Sequence, residues 1–143
     1  MAQATTDRIN PQYKSHLKVR RGINGLGLFV DTAIKKADYI IEYWGEMLTA
    51  DQANERGGKY LFEISNRRTI DGTQRANIAR YLNHSCRPNC EVDIKKGRVL
   101  IFAKRAITPG EELCYDYGKD YWNEYIKPKG CRCAKCTEKR QAK

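Results

Sequence analysis

No run of apolar residues in this chain approaches the roughly 20 that a helix needs to cross a bilayer. The opening stretch MAQATTDRINPQYK also lacks the apolar core of a secretory leader. The chain is therefore expected to stay inside the cell, without a membrane partner, in cytoplasm or nucleoid for a prokaryote and in nucleus or chromatin for a eukaryote or virus. In a reducing compartment its six cysteines are expected as thiols or metal ligands rather than disulfides. There is no internal repeat, no low-complexity segment and no linker that would split the chain, so 143 residues read as about one domain with room for a core. Acidic residues are in short supply, 17 against 27 Lys and Arg, which leaves a net charge of +10.

That imbalance calls for a partner. Lys14, Lys18, Arg20 and Arg21 crowd one end, and Lys127, Lys129, Arg132, Lys135, Lys139, Arg140 and Lys143 the other. Such a field attracts nucleic acid in a salt-dependent, non-specific way; the alternative is a solubilising surface. A basic protein also repels a basic substrate unless its groove is locally acidic. Glu42, Glu46, Glu63, Glu91, Glu111 and Asp116 are the groups that would reverse the sign.

The pattern is mostly that of short strands. Residues 1–13 are polar and expected to be loosely held, 14–118 form the body and 119–143 a cysteine-bearing tail. Leu17-Lys-Val19 alternates, Leu26–Val30 is a short apolar run, and Tyr39–Tyr43 is β-branched and aromatic. Thr49-Ala-Asp-Gln52 reads as a capping box opening a helix that Gly57 or Gly58 ends. Tyr60–Ile64 and Arg68–Ile70 resume the strand pattern, and 91–103 reads as a hairpin turning at Lys96-Gly97. A second short helix is expected around Gln74–Tyr81. The sum is a mainly β domain of small sheets with one or two short helices.

Chemistry concentrates in three blocks. Arg80-Tyr-Leu-Asn-His-Ser-Cys-Arg-Pro-Asn-Cys90 places an amide, an imidazole and two thiols in one Pro-broken segment. An apolar run then ends in Tyr115-Asp-Tyr117-Gly118, and Cys131-x-Cys133-x-x-Cys136 closes the chain. The last supplies three thiolates at spacings a tetrahedral zinc ion accepts, with a fourth ligand owed from elsewhere. Asn24-Gly-Leu-Gly27 offers two glycines where a backbone can approach a ligand; no helix follows it, which argues against a dinucleotide-type phosphate loop.

Taken in order, Gly-x-Gly, Tyr-x-Gly, Arg-Tyr-x-Asn-His-Ser-Cys, Glu-Leu-x-x-Asp-Tyr-Gly and Cys-x-Cys-x-x-Cys resemble a SET-domain protein-lysine methyltransferase with a cysteine-rich tail. The likeness runs over roughly residues 16–140 and is to compact trithorax-like, viral or bacterial members. The cysteine-rich segment that precedes the domain in many chromatin enzymes is missing. The resemblance implies a β-clip-like fold of small curved sheets with a C-terminal segment threaded under an earlier loop, bringing Asn83-His84 to Asp116-Tyr117. It implies S-adenosylmethionine as cofactor (product S-adenosylhomocysteine), held by Asn24, Gly25, Leu26, Gly27, Asn83 and His84, with Arg80 lining the pocket. It implies a lysine channel of Tyr43, Phe62, Tyr115 and Tyr117, of which Tyr117 is the catalytic tyrosine and Tyr115 and Tyr43 assist. It also implies one structural zinc on Cys86, Cys131, Cys133 and Cys136, although the last tail spacing is shorter than the commonest one. Cys90 competes with Cys86 for the fourth position, and Cys114 reads as a buried small hydrophobe. Trp122 and Tyr125 are placed over the cofactor or the loop.

The expected reaction needs few reactive groups, since a sulfonium methyl is already electrophilic and alignment with a neutral amine supplies most of the acceleration. A hydroxyl at Tyr115 narrows the channel, so mainly monomethylation is expected, on a histone tail or a histone-like, DNA-associated protein, by a monomer. Two rivals are a catalytically silent SET-like module bound to chromatin or DNA, and a zinc-dependent nucleic-acid-binding protein. The latter lacks a recognition-helix pattern.

Overall fold

The structure is a computed structural model, and it describes residues 8–22, 25–58 and 60–117. Asn24, Trp122, Tyr125, Cys131, Cys133 and Cys136, to which the sequence analysis gives roles, lie outside these residues, as does the rest of the tail. Three small sheets make up the domain. Strand β1 (Leu17–Gly22) and β2 (Gly25–Val30) form an antiparallel hairpin, paired from Leu17↔Val30 to Gly22↔Gly25. Leu28 and Val30 are buried while Lys18, Val19, Arg20 and Arg21 are exposed. β1 is the sheet edge, and its charged side chains discourage pairing with another chain.

A second sheet comprises β3 (Tyr39–Tyr43), β8 (Cys90–Lys95) and β9 (Arg98–Ala103), in the order β3-β9-β8. The β8–β9 turn falls at Lys96-Gly97 as expected, both residues at positive φ (52° and 76°), which matches the twist of a two-residue hairpin. The third sheet sets β6 (Arg68–Asp71) between β4 (Glu46–Thr49) and β5 (Leu61–Glu63). Helix α1 (Ala50–Arg56) leads out of β4 through the expected capping box. Gln52 N–H donates to Thr49 Oγ1 at 3.2 Å and Thr49 N–H to Gln52 Oε1 at 2.9 Å. Gly57, at φ 63°, ends it.

The remaining strands bring distant sequence together. β10 (Glu112–Tyr115) lies between β2, to which it is antiparallel, and the two-residue β7 (Asn83–His84), to which it is parallel. The buried Asn89 fastens this junction, donating to the Glu112 carbonyl at 2.8 Å and accepting from Cys114 N–H at 2.9 Å. Leu28, Ile34, Ile40, Ile41, Val99, Ile101, Ile107 and Leu113 form the core among the sheets. Among the described residues no helix is long and apolar enough to cross a membrane.

Two expectations are corrected. The second half of 1–13 is fastened: Ile9 bridges Ile41, Asn10 Nδ2 donates to the Tyr39 carbonyl at 2.7 Å, and Tyr13 is fully buried. Only a 3-10 turn, Ile78–Tyr81, forms where a helix over 74–81 was expected. Asn77 stops it. Its backbone leaves the helical region (ψ 80°), and its buried side chain bonds the Gly72 carbonyl and Trp44 N–H at 3.0 and 3.2 Å.

Candidate active site

The first sheet has two faces, and strand alternation assigns the residues to them. Leu28, Leu113, Tyr115 and His84 are buried and face inward. Glu112 pairs with Phe29, and Cys114 with Asn83, on the outward face beside Gly27. Asn83 Nδ2 donates to the Leu26 carbonyl at 3.0 Å and to Glu112 Oε2 at 2.8 Å. The space over Gly25 is open, while the Glu112 side chain covers Gly27. Gly25 has φ 84° with nothing within 4 Å of its missing Cβ, whereas a Cβ on Gly27 would lie 2.3 Å from Glu112 Oε2 and 3.2 Å from Asn83 Nδ2. The result is a face that carries two glycines, one carboxamide and one carboxylate.

On the inward face the β7–β10 pairing puts His84 beside Tyr115 and, two residues on, Tyr117. Tyr117 N–H donates to His84 Nδ1 at 3.2 Å, and the two rings meet edge to face at 5.4 Å. Burial holds the His84 imidazole below its ordinary range, against the opposing pull of Asp116, whose Oδ1 is 3.8 Å from Nδ1. A neutral ring that accepts at Nδ1 carries its proton on Nε2, 3.5 Å from Cys86 Sγ. The Tyr117 hydroxyl donates to the Leu82 carbonyl.

The four aromatics expected to form a channel do converge. Ring centroids run from Tyr43 to Phe62 at 5.3 Å, Phe62 to Tyr115 at 6.2 Å, and Tyr115 to Tyr117 at 4.8 Å. Tyr43 and Tyr115 are buried, Phe62 and Tyr117 half-buried. Tyr43 OH donates to the Tyr60 carbonyl. Its ring lies against Gly72, where a Cβ would come within 2.5 Å of it. Arg80 sits on this side: Nη2 donates to Tyr81 OH at 2.6 Å, Nη1 donates to the Thr73 carbonyl, and the guanidinium stands 5.0 Å over the Tyr60 ring. Among the described residues it has no hydrogen bond to Gly25–Gly27 or Asn83, so it braces Tyr60, and its Nε is buried and unpartnered.

The thiols separate by environment. Cys90 is 1% exposed, and burial pushes its thiol up to about 12. It is a poor ligand for a metal arriving from solvent. Cys86 is half-buried against His84 Nε2. Cys114 is half-buried on the outward face rather than in the core, which corrects its expected place. Among the described residues no three metal-binding side chains cluster. Three of the six carboxylates expected in an acidic groove are held by arginines. Glu42 is buried against Arg98 at 2.7 Å, Glu46 pairs with Arg56 at 2.8 Å, and Glu111 with Arg105 at 2.7 Å.

Three residues of this arrangement were missed in the sequence: Glu112, Gly72 and Asn77. Glu112 enters the sequence reading only as the first residue of the Glu-Leu-x-x-Asp-Tyr-Gly motif, with no role of its own. Gly72 and Asn77 have no motif, though Asn77 is a polar residue among Ala76, Ile78 and Ala79.

Comparison with known proteins completes the picture. The family profile described as SET domain matches residues 25–118. The chain is 36% identical over 145 aligned positions to histone-lysine N-methyltransferase trr of Drosophila melanogaster, covering 92% of this chain and 6% of that protein. It is 35% identical to histone-lysine N-methyltransferase 2D of Homo sapiens over 92% of this chain and 3% of that one. To histone-lysine N-methyltransferase MEDEA of Arabidopsis thaliana it is 42% identical over 66% of this chain and 15% of the relative. The chain thus spans only a small part of the length of each.

Proposed function

The chain belongs to the SET-domain family, and from that premise we propose that it is a protein-lysine N-methyltransferase using S-adenosylmethionine. The observation that carries the reading is the joint between β7 and β10. It joins the strand face of Gly25, Gly27 and Asn83 to the converging aromatics Tyr43, Phe62, Tyr115 and Tyr117. The residues fit the cofactor: the open backbone at Gly25, a carboxamide and a carboxylate suit its zwitterionic amino-acid part and its hydroxyls. We also assign Asn24, Leu26 and His84 to cofactor binding.

When bound, S-adenosylmethionine supplies an electrophilic sulfonium methyl. The chain's task is to present a neutral amine in line with it. A free lysine titrates near 10.4, about three units above neutrality, so the slot must favour the uncharged form. Buried aromatic walls do this by penalising the ammonium. Alignment can then contribute about 7–11 kcal/mol in favourable cases. Tyr117 is the residue we assign to orient the amine, its hydroxyl already fixed beside Leu82. Tyr43 and Tyr115 close the slot, and the Tyr115 hydroxyl limits its width, which favours monomethylation. No carboxylate base is assigned. Asp116 is largely exposed and lies against His84 rather than in the slot.

A structural zinc on Cys86, Cys131, Cys133 and Cys136 fits the chemistry of Cys86, a half-buried thiol facing an imidazole N–H. Its role would be to tie the Lys-rich tail onto the segment that carries Asn83 and His84. The substrate class is a histone or another basic, DNA-associated protein, which places the enzyme with chromatin or nucleoid, and the exposed β1 edge of Lys18, Arg20 and Arg21 suits non-specific contact with nucleic acid. The protein acts as a monomer. Labelled S-adenosylmethionine incubated with the full chain and core histones tests the reading. Label recovered on lysine, with monomethyl-lysine dominant by mass spectrometry, supports it. Retardation of DNA without any incorporation refutes it in favour of the silent module.

A further inference from the structure

Most carboxylates that meet the basic groups of this molecule are matched by arginine. Glu42 has Arg98, Glu46 and Asp71 share Arg56, and Glu111 has Arg105. Glu112 is different. Among the described residues it forms no ion pair, and its recorded side-chain hydrogen bond is to a neutral amide, Asn83 Nδ2 at 2.8 Å. It is nevertheless held in place. Its carbonyl accepts from the buried Asn89, its strand is paired on both sides, and its Oε2 occupies the space that a side chain at Gly27 would take. Its Oε1 lies 3.4 Å from the corresponding position at Gly22. A carboxylate fixed over Gly27, in a protein of net charge +10, with a neutral amide as its side-chain partner among the described residues, is built to meet a cation that comes from outside.

The same contacts settle how Asn83 is turned. Both of its N–H donors are spent, one on the Leu26 carbonyl and one on Glu112. Its Oδ1 is then the atom left to meet a ligand, and it is an acceptor. Glu112 and Asn83 together therefore offer acceptors to a charged donor. Of the two cationic groups on S-adenosylmethionine, only the α-ammonium carries N–H donors; the sulfonium has none. We propose that Glu112 binds the α-ammonium of the cofactor's amino-acid part, and that its bond to Asn83 sets the Asn83 amide to accept from the same group. This rests on the methyltransferase reading above and adds to it a residue that fixes the cofactor by charge.

Calorimetric titration of the full chain with three ligands tests it. S-Adenosylmethionine has both cations, S-adenosylhomocysteine only the ammonium, and 5′-methylthioadenosine neither. Glu112→Gln keeps the shape and an acceptor oxygen while removing the charge. It should weaken the first two by about ten- to a hundred-fold, the range of a charged hydrogen bond, and leave the third within about two-fold. The third ligand also serves as the folding control. Equal loss on all three, or no loss on S-adenosylhomocysteine, overturns the proposal for Glu112. Loss confined to S-adenosylmethionine overturns it too, by moving the contact to the sulfonium. Unaltered chain that binds none of the three instead overturns the underlying methyltransferase reading.

Discussion

Gly72→Ala is the most direct probe of the aromatic slot. A Cβ at this position falls 2.5 Å from Cε1, Cζ and Oη of Tyr43, about an ångström inside ordinary van der Waals contact. The ring cannot swing away cheaply. Tyr43 is 4% exposed, its hydroxyl is bonded to the Tyr60 carbonyl, and the tilted Phe62 ring packs against it at 5.3 Å. The backbone offers no relief, because Asn77 grips the Gly72 carbonyl at 3.0 Å. Overpacking of this kind costs about 1–3 kcal/mol. For a chain of 143 residues that lowers Tm by about 3–9 °C. Because β2 and Asn83 lie elsewhere, calorimetry should find cofactor affinity within about two-fold of the parent, inside about 0.4 kcal/mol. Turnover on histone should fall with the displaced tyrosine. A variant with unchanged Tm and full turnover would refute the packing argument. Turnover lost together with cofactor affinity would refute the separation of the two halves of the site.

The other expectations follow from the same geometry. Tyr115→Phe removes a hydroxyl from the slot and should shift product from mono- towards di- and trimethyl-lysine; an unchanged mass-spectrometric distribution sinks the assignment. Tyr117→Phe should lower kcat by about 10²-fold or more, in line with losing an orienting group, with S-adenosylhomocysteine affinity largely kept. Chelation of zinc should abolish methyl incorporation while far-UV circular dichroism of the β body changes little; collapse of both signals would deny the tail a separate role. Glu111 is held down to about 2 by its bond to Arg105, so its contribution is present above the unfolded value and lost as pH falls through the folded one. Stability should therefore drop between about pH 4.5 and 2, and Glu111→Gln should flatten that part of the profile.

Much of the architecture was legible because its causes are local. The Thr49–Gln52 capping box, the Lys96-Gly97 turn and the β-branched run of β3 each act within a few residues, and each lies where its pattern placed it. The expected helix at 74–81 failed for a non-local reason, since the Asn77 side chain is claimed by Gly72 and by Trp44, 33 residues away. The motif order was also enough to name the family to which the chain belongs and to single out four aromatics whose rings converge.

Local pattern could not say what those residues touch. Glu112 and Asn83 are 29 residues apart and Tyr117 and Leu82 35 apart, and no periodicity relates them. They meet because β10 enters the sheet between β2 and β7. That same packing turned Glu42, Glu46 and Glu111 from a supposed substrate groove into ion pairs. It left Glu112, in a charged dipeptide, as the carboxylate over Gly27. Sequence alone determined the strands, the caps and the family, since each depends on neighbouring residues and on motif identity. Tertiary structure decided which charges are satisfied and which remain to act, because partnership is a matter of distance in space.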